Sequence, residues 1–145
     1  MIISGKVCGK LLFSHTAFGE NFYSVTILVK RLSGYEDRVP VIASDRFLEA
    51  LKGCRGQFVR IHGELHTYNR SGGERRHLDL FVFVHEVELL GSEFCLSENR
   101  IHLNGHVCKK PVYRITPLGR EIADLLVAVN RLYGNFHESI MDIEL

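Results

Sequence analysis

Basic and flat side chains recur close together in this chain. Lys30-Arg31 is followed by Tyr35 and Arg38, then Arg60, then Tyr68 and Arg70, then Arg75-Arg76, and later Tyr113-Arg114, Arg131 and Tyr133. A guanidinium forks onto phosphate oxygens and a phenol ring offers a face to a nucleobase, so this set suits a flexible polyanion with stackable bases. Taken alone, Arg75 and Arg76 on a polar turn fit a solvated face equally well. Phe22, Phe81 and Phe83 lie opposite the inferred core stripes, where they could stack bases or fill the barrel's far side or a subunit contact, and packing is the favoured reading. Catalytic chemistry finds no foothold: there is no P-loop, no G-x-S-x-G and no H-E-x-x-H, so the chain reads as a non-enzyme. The eight histidines and four cysteines (Cys8, Cys54, Cys95, Cys108) show no metal-ligand spacing. No metal, no cofactor and no small-molecule substrate is therefore expected, and the cysteines read as small buried hydrophobes.

A net charge of +1 means that binding to a polyanion must come from local clusters rather than bulk attraction. No run approaches the roughly 18 apolar residues of a membrane span, and the first residues enter a strand pattern at once without signal-peptide features. The reading is a cytoplasmic protein that makes no membrane contact.

The candidate residues sit among strands. Ile3, Gly5 and Val7 alternate with polar neighbours, and Tyr23, Val25, Ile27 and Val29 do the same after a turn at Phe18-Gly19. Residues 38–43 read as a third strand, with Pro40 at an edge or bulge. A short helix capped by Ser44 or Asp45 carries Phe47, Leu48 and Leu51 and ends at Gly53. Residues 57–67 resume alternation, with Gly63 leaving room for close backbone approach. A polar turn at 69–74 then leads to a fifth strand through Leu80, Val82 and Val84. Five strands with one helix between the third and fourth is the plan of a small Greek-key barrel, the OB-fold.

The chain also repeats itself. Residues 3–34 lie over 103–134 without a gap, and ten pairs are identical, among them Gly5/Gly105, Val7/Val107, Thr16/Thr116, Gly19/Gly119, Arg31/Arg131 and Gly34/Gly134. Such a match marks a duplicated unit. The expected organisation is a complete barrel at 1–91, a linker at 92–98, and a truncated second barrel at 99–145 built on its first hairpin.

In the second copy, Asn99-Arg100-Ile101-His102-Leu103-Asn104-Gly105, then Pro111-Val112-Tyr113-Arg114-Ile115-Thr116-Pro117-Leu118-Gly119, then Ala123 through Asn130-Arg131, resembles the opening strands of bacterial single-stranded-DNA-binding proteins. Residues 56–65 (GQFVRIHGEL) look like that family's fourth strand. The whole is similar to its two-barrel Firmicutes type. The resemblance implies an OB-fold, sequence-tolerant binding of single-stranded DNA in replication, recombination or repair, and assembly into a homo-oligomer near the nucleoid. Loops joining strands one to two and four to five border the binding face of an OB-fold. Tyr68, Arg70, Arg75 and Arg76 bracket the second of these, while Lys30 and Arg31 end strand two and Tyr35 and Arg38 flank the turn after it. These with Arg60 are the expected contacts, with Tyr113, Arg114, Arg131 and Tyr133 added if the second hairpin is ordered. The competing reading is an OB-fold protein-interaction module whose orphan hairpin lends a strand to a partner.

Overall fold

The computed structural model describes residues 1–70, 77–92, 98–129 and 139–144. Among them the order is β1 (Ile2–Ala17), β2 (Glu20–Lys30), β3 (Glu36–Ser44), a 3-10 turn (Asp45–Phe47) running into α1 (Leu48–Leu51), β4 (Phe58–Arg70), β5 (His77–Gly91), β6 (Asn99–Arg100), β7 (Gly105–Val107), β8 (Val112–Ile115), β9 (Glu121–Val129) and β10 (Ser139–Glu144). The chain divides into two units, Met1–His66 with Asp79–Ile101, and Thr67–Leu78 with His102–Leu145. No helix among the described residues is long and apolar enough to cross a membrane.

In the first unit the strand order is β2-β3-β5-β4-β1-β6, and β1 pairs back onto β2, so five strands close a barrel of OB type. Closure depends on the length and bend of β1. Residues Ile2 to Lys6 pair with β4, whereas Lys6 to Ala17 pair with β2, and the register slips between Cys8 and Leu12. Gly9 lies inside that slip with a φ of 90°, a conformation that glycine adopts without penalty. β3 meets β5 in parallel at Val41 and Ile42, one residue past Pro40, whose ring supplies no donor.

The alternating apolar residues meet inside. Ile3, Val7, Val25, Ile27, Val29, Val41, Ala43, Val59, Ile61, Val82 and Val84 form the core, joined by Leu51 from α1. Two glycines let the strands approach. A Cβ on Gly63 would press into the Phe83 carbonyl oxygen and lie 2.9 Å from Val82 Cγ1. One on Gly5 would press into the Leu28 carbonyl oxygen and lie 2.6 Å from Ile27 Cγ2. Ser44 occupies the cap position, but its side chain makes no cap bond, and its buried Oγ has no hydrogen-bond partner among the described residues. Of the described cysteines, Cys54 is buried and donates to the Ala50 carbonyl, Cys8 is half-buried and Cys108 is exposed, while Cys95 lies outside the described residues. Their reading as uniformly buried hydrophobes is thereby corrected, because Cys8 alternates with Val7 and so faces away from the core.

Asn99 and Arg100 pair with Ile3 and Ile2. Residues 98–100, placed by the repeat at the junction with the second barrel, therefore lie on the first unit, Asn99 and Arg100 as β6. Ser4 N–H donates to the Glu98 carbonyl at 2.8 Å, and Arg60 holds the Glu98 carboxylate at 2.7 Å and Glu88 at 2.6 Å. The Arg60 hydrogen bond keeps the Glu98 carboxyl below its ordinary value. A lowered carboxyl stabilises above its unfolded pKa and loses that contribution as pH falls through the folded one. The Glu98→Gln variant is accordingly expected to show faster hydrogen exchange at the Ser4 amide than wild type near neutral pH. The difference should vanish in acid, and equal exchange at neutral pH would show that the pair does not hold the segment.

The second unit repeats the first at the level of register. Val7 faces Ile27 and Val107 faces Val127; beyond the slip, Leu12 faces Ser24 and Val112 faces Asp124. Gly105 repeats Gly5, since its Cβ would press into the Ala128 carbonyl oxygen beside Val127 Cγ1. The unit has one strand more than the hairpin predicted from the repeat. β10 pairs with β9, Ser139 opposite Val129, where Asp37 stands opposite Val29 in the first unit. The offset of two residues preserves the strand's face, and the change in spacing hides the relation from an ungapped comparison.

Candidate nucleic-acid interface

Because Val82 and Val84 point into the barrel, Phe81, Phe83 and His85 share the outer side of β5; on β4, burial of Ile61 and Gly63 turns His62, Glu64 and His66 outward. The pairing of strands then brings rings together across the sheet. His66 stacks on Phe83 at a centroid distance of 5.3 Å and 19°, and lies 5.7 Å from Phe81. Phe83 also meets His85 at 5.8 Å and Phe22 at 5.6 Å, and Phe22 stacks on His15 at 4.9 Å and 16°. The row crosses β1, β2, β5 and β4 of one unit. Phe22 is buried beneath it (8% exposed), whereas Phe81, Phe83 and His66 are half-buried and His15 and His85 are exposed.

The Glu64 carboxylate lies 3.3 Å from His66 Nε2 and 3.4 Å from His85 Nε2. A carboxylate only accepts, so the hydrogen bond with His66 has that ring's Nε2 as donor, while His85 stands within ion-pair distance. At the far end of the β1–β2 hairpin, Phe13 packs edge-on against Tyr23 at 5.9 Å. Phe18 at the tip is fully exposed (102%) in the left-handed region, with a φ of 52°. A phenylalanine in that conformation, and in water, stabilises nothing in the barrel.

The cations of the sequence reading are arranged differently. Lys30, Arg31, Tyr35 and Arg38 gather at the β2–β3 turn, closed by the Arg31 N–H donating to the Tyr35 carbonyl at 2.7 Å. Arg31 forks onto Asp37, which raises the guanidinium pKa and lowers that of the carboxyl. Tyr35 is exposed (76%), as is Arg38. Arg60, by contrast, is held by Glu88 and Glu98 and fastens β6. Tyr68 is exposed (62%) on the part of β4 that belongs to the second unit, as are Tyr113 and Arg114 on β8, where Arg114 pairs with Asp124 at 3.1 Å. Arg70 ends β4. Arg75, Arg76, Arg131 and Tyr133 lie outside the described residues.

Sequence reasoning places Phe81, Phe83 and His66 on outward faces without making them contacts, and it does not single out His15, His85 or Phe18. One signal was available: Phe81, Phe83 and His85 recur at every second position opposite a valine stripe. What their alternation could not supply was the neighbouring strand's register.

No family model and no curated protein matches this chain. Solved structures do. The N-terminal domain of PriB protein from Thermoanaerobacter tencongensis, whose structure is dimeric, is 34% identical over 62% of this chain and 93% of its own, with a TM-score of 0.53. A deletion mutant of the single-stranded DNA binding protein from Thermus aquaticus is 20% identical over 99% of this chain and 71% of its own, with a TM-score of 0.62. Plasmodium falciparum SSB in complex with ssDNA is 13% identical over 63% of this chain and 91% of its own, with a TM-score of 0.51, a likeness of fold.

Proposed function

From a chain that belongs to the bacterial family of PriB-like and SSB-like OB-fold proteins, we propose binding of single-stranded DNA, without sequence preference, on the ring-lined face of the first unit. The observation that carries this reading is the row His15, Phe22, Phe83, His66, with Phe81 and His85 beside it. The half-open faces of Phe81, Phe83 and His66 and the exposed rings of His15 and His85, supported by buried Phe22, suit successive bases, since every base has a π-face. The β2–β3 turn supplies cations for phosphates. The role is that of a binder rather than an enzyme, acting in replication, recombination or repair in the cytoplasm near the nucleoid, as a homo-oligomer of the two-barrel type. Counterions released from the contacted phosphates make such binding fall steeply with salt, by roughly 0.7 in log–log slope for each phosphate contacted.

The test is fluorescence anisotropy of a labelled dT oligonucleotide at low and high salt, with duplex DNA as competitor. Tight, salt-sensitive binding that duplex does not displace is expected, and no binding at low salt would overturn the reading. The protein-interaction alternative draws on the second unit, where β7 and β8 are exposed and present Val107, Val112, Tyr113 and Ile115. Binding there would be insensitive to salt.

A further inference from the structure

Docking of the inter-repeat segment creates a cleft in the first unit. Its walls are Lys30, Arg31, Leu32 and Ser33 from the β2–β3 turn and Glu98, Asn99 and Arg100 from β6 and the residue before it, and its volume is about 530 Å³. That volume is within the range of sites that take a group of ligand size. Three of the lining residues are cations and one is an anion. The Glu98 carboxylate already accepts from Arg60 Nε and, at 3.5 Å, from Ser4 Oγ. Arg31 spends Nε and one terminal nitrogen on Asp37, which leaves its other terminal nitrogen with two N–H donors. Arg100 is exposed, and its backbone pairing with Ile2 places it on the wall opposite the turn whatever its side chain does.

We infer that this cleft is a phosphate subsite for the sugar–phosphate backbone of a single strand, with Arg100 as the residue that completes it. The inference rests on the single-strand reading above and extends it to a residue of the inter-repeat segment. Lys30 and Phe22 stand at opposite ends of β2, roughly 26 Å apart at the rise of an extended strand. The subsite therefore serves a strand long enough to run from the rings along β2 to β6, within the 4–16 nucleotides that OB-folds cover. A strand that covers the rings alone does not reach it.

The experiment compares wild type, Arg100→Ala and Arg100→Lys for binding a short and a long dT oligonucleotide across a salt series, with circular dichroism and melting as checks of folding. The expected result is that Arg100→Ala binds the long oligonucleotide several-fold more weakly, with a salt slope shallower by about 0.7, one phosphate's worth. The short oligonucleotide should bind as to wild type, and Arg100→Lys should restore the slope. If wild type binds the long oligonucleotide and Arg100→Ala matches it in affinity and slope, the subsite is wrong and the single-strand reading stands. If wild type binds neither oligonucleotide, the function reading fails and takes the subsite with it.

Discussion

Replacing Phe83 by alanine is expected to weaken dT binding by roughly 5- to 150-fold, the equivalent of the ~1–3 kcal/mol that one stacked base contributes. Phe83 is the ring at which the row branches, touching Phe22, His66 and His85 while remaining half-exposed. Its removal takes away one stacking face and also the support on which His66 lies parallel. The neighbours Val82 and Val84 keep β5 anchored in the core, so the variant should still fold with a lowered melting temperature. Phe22→Ala separates the two effects. That ring is buried, so its loss should cost about 3–5 kcal/mol of stability before any effect on binding is considered. Anisotropy and thermal melting on both variants decide the matter, and a folded Phe83→Ala protein with undiminished affinity would remove the ring row from the interface.

Gly5→Ala should lower stability by about 1–3 kcal/mol or more, a large part of the 5–15 kcal/mol that holds a domain. The new methyl would press into the Leu28 carbonyl oxygen and lie 2.6 Å from Ile27 Cγ2. Neither neighbour can yield cheaply, because Leu28 lies in the ladder with Lys6 and Arg38 and Ile27 is fully buried. Gly105→Ala places the same lesion against Ala128 and Val127 in the second unit. Denaturant titrations should show the midpoint for Gly5→Ala falling at an unchanged slope. A midpoint equal to wild type would mean that β1 and β2 can separate without cost, contrary to their packing.

The duplicated unit, the strand alternation, the helix between the third and fourth strands and the barrel plan were legible in the residues, because each rests on local spacing. A period of two puts Val25, Ile27 and Val29 on one side wherever the strand goes, and the match of Gly5 to Gly105 follows from the same close approach in both copies. Gly63 announced close packing for the same reason. The candidate cations were legible as residue types, but their partners were not. Arg60 reads like any outward arginine, yet it fastens the inter-repeat segment, since Glu88 and Glu98 are brought beside it by strands distant in sequence.

The ring row and the Arg100 cleft were decided by tertiary structure alone. Phe81, Phe83 and His85 are neighbours on one strand, but whether they meet His66, Phe22 and His15 depends on which strands adjoin and in what register, and a slip of one residue would turn the rings inward. Arg100 came to face Lys30 and Arg31 because β6 adds to the first barrel, although its sequence marks the start of the second repeat. The physical reason is common to both. Side-chain period is set within a strand, while hydrogen-bonded pairing between strands is chosen by the whole chain, through its search for closed ladders and a filled core.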